Sequence, residues 1–337
     1  MARRKTNPAK IATYAALILL GTIFILPFFW LLSTSFKPSS RIQQWPPDIL
    51  PMQPVHARVA GRSVDVYRDK HGAELALIER LKGGMASVKP LSNTRATART
   101  VKADDLTQVV KPGLEWSNYS RGLVFIPFFA ELRNTLIIAL SCVLGTILSC
   151  SLVAYGLCKI EWKGRNLLFI ILLSTMMLPA QVTMIPVFTI FVKLHWVDTF
   201  LPLIVPSFLG SAFFIFLLRQ FFMGIPRELS EAAKLDGCSE FAIYRRIVMP
   251  LSKPALATVG LFTFMGAWND FLNPLIYLLD ESKYTLSLGL AMFTGQYGNE
   301  YGMLMAVSAV FTLPIIVLFF FTQRTFIQGM TMSGIKG

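Results

Sequence analysis

Six long apolar runs constrain this chain more than any other feature of its sequence. An α-helix that crosses a bilayer needs about 20 mostly apolar residues. Only 15% of the chain is charged, against about 25% in ordinary soluble domains, and Asp270 is the one Asp, Glu, Lys or Arg inside the runs. The sequence therefore predicts an all-α polytopic membrane protein with six transmembrane helices. The runs lie near residues 11–36, 134–157, 167–192, 199–218, 255–279 and 303–323.

The basic residues predict which short loops face the cytoplasm, because Lys and Arg concentrate there in membrane proteins. They cluster in the N-terminus, in the loop after the second run, around the polar stretch 219–253 and in the tail, whereas the short loops on the other side hold Lys193 and Lys283. We expect both termini and the polar stretch to lie in the cytoplasm. The net charge of +13 then reflects membrane topology, and it predicts no nucleic-acid partner.

Residues 37–133 form a long loop on the predicted outer side of the membrane. Loops longer than about 60 residues are largely exempt from the charge rule. Its part from about 51 to 112 contains short pieces rich in Val, Thr and Tyr, which Gly61, Gly72 and Gly83–Gly84 separate. This pattern is typical of strands joined by turns and predicts a small β-rich insertion. Two interpretations remain open: a docking surface for an external partner, or an added segment that packs on the membrane part.

A polar stretch at 229–250, LSEAAKLDGCSEFAIYRRIVMP, interrupts the apolar runs. We predict a helix that begins near Pro226, a left-handed turn at Gly237, and a second helix that Ser239 caps and Pro250 ends. Small side chains near the turn would let another protein approach closely, but a helix lying on lipid headgroups is an equal alternative on these grounds. The residues on the broad face of the first helix are Leu229, Ala232, Ala233 and Asp236.

The same stretch resembles the EAA loop of ATP-binding-cassette (ABC) importer permeases. That pattern is Glu-Ala-Ala, three residues, Gly, nine residues, and Ile-x-Leu-Pro. This chain has Glu231-Ala232-Ala233, Gly237 and Ile247-Val248-Met249-Pro250, with Met249 in place of Leu as the one departure. The resemblance implies a coupling helix that docks on a separate ATPase subunit. Its contact residues would be Glu231, Ala232, Ala233, Asp236, Gly237, Ile247 and Pro250.

Three further segments are similar to the binding-protein-dependent sugar branch of these permeases, the maltose and glycerol-phosphate type. They are FMGAWNDFLNPLIYL at 264–278, YTLSLGL at 284–290 and the ending TQRTFIQGMTMSGIKG. The short tail matches the six-span partner within that branch. The likeness covers about 11–50 and 114–337 and leaves out about 51–112.

The resemblance implies a type I ABC importer permease fold. Residues 1–36 would be the cytoplasmic N-terminus with the first helix, 37–130 the extracytoplasmic loop, 131–326 the five-helix core with its coupling loop at 224–254, and 327–337 the cytoplasmic tail. The implied partners are two ABC ATPase subunits, a homologous second permease subunit, a solute-binding protein and membrane lipid. The location would be a bacterial-type plasma (inner) membrane.

Chemistry within this chain is not expected. The sequence contains no G-x-x-x-x-G-K-[ST] phosphate loop, and no nucleophile–base pair is recognisable. We therefore expect a non-catalytic subunit without a cofactor of its own, with ATP and Mg bound by the partner ATPase. The expected function is import of a sugar, oligosaccharide or sugar-like polyol. The alternatives are an ion-coupled secondary transporter and a membrane scaffold or receptor.

The fifth run carries the polar residues that are candidates for the substrate pathway. An ionisable residue inside a span marks a functional site by default, and Asn and Asp beside Trp can bind a sugar. The alternative, which we favour, is that Asp270 pairs or caps a helix near a kink at Pro274. The candidates are Trp268, Asn269, Asp270 and Asn273, with Gln181 and Met184 on the third run. By analogy with the family, segment 284–301 would reach the binding protein.

Overall fold

The structure is a computed structural model that describes residues 8–59, 61–93, 96–294 and 300–333. The first seven residues and the last four, for which the sequence predicts cytoplasmic positions, lie outside the described residues, as does 295–299 of the outer segment. The chain divides into two compact units, each described by itself below. The first contains Met1–Phe125 and Phe293–Ala309, and the second contains Ile126–Met292 and Val310–Gly337.

The first unit begins with a helix that is apolar on all sides. Its exposed side chains include Ile18 and Phe24, as expected of a helix surrounded by lipid. Among the described residues, a short helical turn follows, then eight strands and a third helix. These elements are α1 Pro8–Ser35, α2 Ser39–Ile42, β1 Met52–Pro54, β2 His56–Val59, β3 Arg62–Arg68, β4 Glu74–Leu81, β5 Met85–Pro90, β6 Arg99–Lys102, β7 Thr107–Gln108, β8 Val110–Pro112 and α3 Ser117–Phe125.

The strands confirm the prediction of a β-rich insertion. The main sheet is antiparallel with the order β2-β3-β4-β5-β6, and β7 pairs with β3. A separate ladder of β1 and β8 closes the base, with Pro54 opposite Val110. The small core contains Leu75, Ala86 and Val88. The predicted turn glycines all have positive φ angles, which glycine adopts without steric cost.

The second unit is helical and is built around one long helix, α4. The helices α8 and α12 pack along α4, and their buried contacts include Leu218, Phe222 and Val259. The helices are α4 Phe128–Cys158, α5 Arg165–Thr175, α6 Ala180–Lys193, α7 Leu201–Ile204, α8 Ala212–Met223, α9 Arg227–Leu235, α10 Glu240–Ile243, α11 Met249–Leu251, α12 Lys253–Trp268, α13 Leu272–Tyr277 and α14 Leu286–Ala291. The last helix, α15 Tyr301–Ser333, has residues in both units.

Four helices in the described part of the chain are long and apolar enough to span a membrane. Two bent helix pairs raise the number to as many as six if each pair is one span: α5 with α6, bent by 97°, and Glu240–Leu251 with α12, bent by 79°. The polytopic helical membrane fold is therefore confirmed, and the number six stays a prediction. The four are Ala9–Ser35, Phe128–Cys158, Leu201–Met223 and Tyr301–Gln323.

Proline positions predicted the breaks only in part. Because proline can break or kink a helix, the prolines within the runs predict interruptions. The third run does break before α6, at Pro179, whereas Pro186 and Pro314 lie inside continuous helices. The fifth run is not one helix, since α12 ends at Trp268 and α13 begins at Leu272. The Asp270 side chain bonds Asn273 across that break.

Loops of the second unit meet in two groups. Lys159 donates to the Ile225 carbonyl oxygen over 2.7 Å, which joins the loop after α4 to the start of the coupling loop. In the other group, Lys283 contacts Asp198 over 2.6 Å, which joins the loop after α6 to the one after α13. The charge pattern likewise predicts that the first two of these loops lie on one side of the membrane and the last two on the other.

Candidate functional site

The first helix of the polar stretch is short and stops abruptly. It begins at Arg227, directly after Pro226, and Glu228 lies in its first turn, where a negative charge suits the helix dipole. At its end Gly237 has a φ of +78°, and the Cys238 N–H bonds the Ala233 carbonyl over 2.9 Å. A Cβ atom at Gly237 would meet nothing within 4 Å. The predicted left-handed turn is therefore present, and it faces open space.

The second helix begins as predicted but runs further. Ser239 Oγ accepts a hydrogen bond from the Ala242 N–H over 3.3 Å. A π-helical turn at Tyr244–Val248 follows, and the chain stays helical through Pro250 to Leu251. The prediction that Pro250 ends the helix is wrong. In an α-helix the proline ring clashes with the carbonyl of residue i−4, and the i→i+5 geometry of the preceding turn makes room for it.

The two helices bury one side and expose the other. Ala233, Ile243 and Val248 belong to the core of the second unit. Ala233, one of the predicted contact residues, is buried in this core, and its role as a contact residue stays a prediction. The outward side carries apolar residues that sequence patterns alone did not single out, with Leu235 90% and Phe241 62% exposed. We call Leu229, Ala232, Leu235, Gly237 and Phe241 the coupling surface.

The other predicted contact residues lie around the coupling surface. Glu231, Asp236 and Pro250 are exposed, and Ile247 is half-buried. In the described part of the chain Glu231 forms no ion pair, although it lines a polar cleft of about 520 Å³ beside Lys159 and Lys234. Its carboxylate is thus available to a basic group on a partner.

Lys234 and Glu240 brace the turn between the two helices. The Lys234 Nζ lies 2.6 Å from Glu240 Oε1. The hydrogen bond and charge of Glu240 raise the pKa of Lys234 above its ordinary value, so Lys234 stays charged at neutral pH. The geometry of the coupling surface is therefore fixed by three features: the left-handed Gly237, the Ser239 cap and the Lys234–Glu240 ion pair.

The substrate-pathway candidates have different surroundings. Trp268 is fully buried, and its ring lies 5.3 Å from that of Phe264 and 5.4 Å from that of Phe311. A residue packed in this way does not touch a solute in this state. The Asn269 side chain donates to the Met265 carbonyl over 2.8 Å.

Asp270 caps α13, as the favoured alternative expected. Its carboxylate accepts from the Asn273 N–H over 3.2 Å and from Asn273 Nδ2 over 2.8 Å. Asp270 also lines a cavity of about 360 Å³ together with Ser207, Thr263 and Thr285. Gln181 is exposed and Met184 half-buried on α6, and neither lines that cavity.

Comparison with known proteins places the chain among transport components. The family described as binding-protein-dependent transport system inner membrane component matches residues 126–331. The chain belongs to this family. The matched region contains the whole coupling surface and every substrate-pathway candidate, and it leaves out the insertion.

Curated relatives are transport permeases rather than enzymes. The arabinooligosaccharides transport system permease protein AraQ of Bacillus subtilis is 40% identical over 210 residues, which are 62% of this chain and 74% of AraQ. The trehalose/maltose transport system permease protein MalG of Thermococcus litoralis is 34% identical over 244 residues, 70% of this chain and 87% of MalG. The sn-glycerol-3-phosphate transport system permease protein UgpE of Salmonella choleraesuis is 34% identical over 214 residues, 63% of this chain and 76% of UgpE.

A solved structure shows the same fold. One chain from the crystal structure of a bacterial ABC transporter involved in import of the acidic polysaccharide alginate aligns with a TM-score of 0.66. At 21% identity, the alignment covers 96% of this chain and 98% of that chain. The aligned span therefore reaches across the insertion, which the family match leaves out.

Proposed function

We propose that this chain is the transmembrane permease subunit of an ATP-driven importer, and that it passes a carbohydrate across the inner membrane by alternating access. The observation that most supports this proposal is the coupling surface. It is an apolar, exposed and conformationally fixed knob inside the region that matches the binding-protein-dependent family. Large exposed apolar surfaces on a polar loop mark interaction sites.

The partner proposed for this surface is an ABC ATPase subunit. Two such subunits bind ATP and Mg, and each docks on one permease chain. A homologous second permease completes the membrane pathway, and a solute-binding protein delivers the substrate outside. Binding-protein dependence is part of the family description, while the numbers of subunits and the cytoplasmic position of both termini are part of the proposal.

Alternating access follows from the coupling geometry. Closure of the ATPase dimer on ATP draws the two coupling surfaces together. A ligand shifts a conformational equilibrium only through different contacts in the two states, and a rigid knob transmits such a difference better than a flexible loop. The six spans then rock to open the pathway outward, and hydrolysis resets them inward.

The proposed substrate class is an oligosaccharide or a sugar-like polyol. The relatives named for arabinooligosaccharides, for trehalose and maltose, and for glycerol phosphate support this class. Asn269, Asp270, Asn273, Gln181 and Met184 stay as proposed pathway residues, with Asp270 also serving as a helix cap. Trp268 stabilises the end of α12, directly before Asn269 and Asp270.

Site-specific photocrosslinking tests the docking proposal. Benzoylphenylalanine placed at Leu235, in the fully assembled membrane, is expected to crosslink to a protein with ABC ATPase sequence. The matched control is Trp45, which is 87% exposed and is proposed to lie on the opposite side of the membrane. Crosslinks from Leu235 to lipid alone, or equal ATPase crosslinks from both positions, would overturn the docking proposal.

A further inference from the structure

The cytoplasmic half of α4 is hydrogen-bonded to both helices of the coupling segment. Tyr155, which is buried, donates its hydroxyl to Glu240 Oε2 over 2.7 Å. The other oxygen of Glu240 holds Lys234 of α9. The chain Tyr155–Glu240–Lys234 therefore joins α4, α10 and α9 in one set of contacts. Hydrogen bonds to charged groups are roughly twice as strong as neutral ones.

A second contact lies one helical turn before Tyr155 on α4. Ser151 Oγ and the Tyr244 hydroxyl are 2.7 Å apart in the buried interior. The rings of Tyr155 and Tyr244 meet edge to face with centroids 5.4 Å apart. The coupling segment thus has two polar attachments and one aromatic attachment to the same helix, so it cannot slide along α4 without breaking them.

The other end of α4 holds the segment that precedes and forms α14. Asn134 Nδ2 donates to the carbonyl oxygens of Ser282 and Tyr284, over 2.9 and 3.1 Å. Thr135 Oγ1 accepts from the Leu286 N–H over 2.9 Å. These bonds cross from side chain to main chain and fix the position of the backbone of 282–286.

Gly289 and Glu131 extend this attachment by close packing. Both residues are buried. A Cβ atom added at Gly289 would overlap the carboxyl group of Glu131. In this state α14 therefore rests directly on the first turn of α4.

Between its two attachments α4 is an unbroken helix. It runs over 31 residues without proline, and the 20 steps from Thr135 to Tyr155 span about 30 Å at 1.5 Å per residue. This length equals the thickness of the hydrocarbon core of a bilayer, about 30 Å. A helix of this length, packed along α8 and α12, moves as one piece.

We propose that α4 carries the displacement of the coupling segment across the membrane to residues 282–289, and that Tyr155, through Glu240, is the positioning residue that fixes α4 to the coupling segment. This inference rests on the proposed function, since it assigns a route to the coupling that the function requires. It needs no contact of Tyr155 with the ATPase or with the substrate.

The test uses the assembled transporter in proteoliposomes, with Tyr155→Phe, Glu240→Gln and the double variant. Coupling free energies between sites typically correspond to factors of about 5 to 150. We expect Tyr155→Phe to assemble fully and to keep its basal ATP hydrolysis, while stimulation by the solute-binding protein and uptake both fall about fivefold or more. A purely stabilising contact would lower the yield of complex instead and leave stimulation per complex unchanged.

Two further readouts sharpen the test. A nitroxide at Leu279, which is exposed and adjoins the segment that α4 holds, reports the outer end, and its ATP-dependent spectral change is expected to shrink in Tyr155→Phe. The double variant is expected to lose no more stimulation than Glu240→Gln alone, because Glu240→Gln already weakens the Tyr155 contact together with the Lys234 ion pair. The matched control is Tyr119→Phe in the first unit, whose hydroxyl lies 2.8 Å from Ser35 Oγ, and it is expected to behave as wild type.

Wild-type stimulation and wild-type spectral response in both single variants would overturn the inference, and so would additive losses in the double variant. If Tyr155→Phe fails to assemble, Glu240→Gln at the half-exposed Glu240 is tested by itself. Its stimulation by the binding protein and its spectral response are then measured per complex. Absence of ATP-driven uptake in the wild-type complex would contradict the proposed function itself, which distinguishes the two failures.

Discussion

Gly237 determines the shape of the coupling segment at the scale of single residues. Its φ of +78° lies in the left-handed region, which costs other residues roughly 1–2 kcal/mol, except that Asn and Asp occupy it more readily. Its surroundings are empty, so a new side chain there would meet only a docked partner.

Gly237→Asn separates docking from backbone strain. Asn keeps the turn with little strain and places a side chain on the coupling surface. We expect about tenfold weaker retention of the ATPase, the equivalent of 1.4 kcal/mol, and Gly237→Asp should be at least as damaging. The measurement is the ratio of ATPase to permease after purification in mild detergent.

The control for this substitution is Gly72→Asn in the insertion, since Gly72 has a φ of +84° and equally open surroundings. It is expected to keep the wild-type ratio. Full retention of the ATPase and full transport with both Gly237→Asn and Gly237→Asp would contradict docking at this surface.

Asp198 holds the loop after α6 and the loop after α13 together through backbone and side-chain bonds. With a φ of +61°, it accepts from the N–H groups of Leu279 and Asp280, each over 3.0 Å, and from Lys283 Nζ over 2.6 Å. The Lys283 hydrogen bond, then those of the backbone, lower the pKa of Asp198 to about 2.

The pH dependence follows from the sign of that shift. A carboxyl group whose pKa is depressed in the folded state stabilises it above the unfolded pKa of about 3.9, and that contribution is lost as the pH falls from about 4 towards 2. Protection of the Leu279 and Asp280 amides from hydrogen exchange, corrected for intrinsic rates, should therefore be equal at pH 7 and pH 5.

Asp198→Asn should reduce this protection at both pH values. The control is Glu281→Gln, which changes the acid next to Asp280 and should leave the protection unchanged. Loss of wild-type protection between pH 7 and pH 5 would show that the carboxylate is not held as described.

At the scale of elements, apolar length and glycine positions predicted more than proline did. The apolar runs predicted the long helices, and the glycines predicted the turns of the insertion. Pro186 and Pro314 do not break their helices, while the break at 269–271 depends on the Asp270–Asn273 cap. The sequence suggested a cap by Asp270, but it did not identify Asn273 as the partner or place the break at 269–271.

The direction of side chains on the coupling helices was predictable only in part. Helical spacing placed Ala232 and Ala233 on one broad face, yet one is exposed and the other buried. The π-helical turn at Tyr244–Val248 changes the register of the second helix, so an α-helical period counted from Ser239 does not give the correct face for Pro250.

The insertion can be removed at its base without leaving a gap. Because Pro54 lies opposite Val110 in the β1–β8 ladder, Asn-Gly in place of 55–109 would close a two-residue hairpin, the turn that this dipeptide favours. We expect this variant to fold in the membrane and to retain the ATPase at the wild-type ratio, since docking is proposed to occur on the other side.

A control deletion of 229–238 should lose the ATPase while the chain stays in the membrane. Loss of the ATPase from the insertion variant, with the membrane part still folded, would contradict the proposed topology. If the insertion variant retains the ATPase, its substrate delivery decides between the two open interpretations of the insertion. Impaired delivery indicates a docking surface, and normal delivery indicates an added packing segment.

At the scale of the whole molecule, the family match identifies a membrane component of a binding-protein-dependent system, and the fold is that of a chain in a solved ABC transporter structure. The predicted β-rich insertion and polytopic helical fold are confirmed, while support for the importer function comes from the family match and the relatives named as transport permeases. The cavity beside Asp270 and the attachments at both ends of α4 were not predictable, because they depend on residues more than 60 positions apart in the sequence.

Uptake of an oligosaccharide into proteoliposomes tests the central claim most directly. The vesicles would contain this chain with its second permease and ATPase, and the substrate would be offered outside with its solute-binding protein. Uptake that requires ATP in the ATPase compartment and the binding protein on the opposite side, and that persists without ion gradients, is the expected result. Uptake by this chain alone, driven by an ion gradient and indifferent to ATP, would contradict the account and identify a secondary transporter.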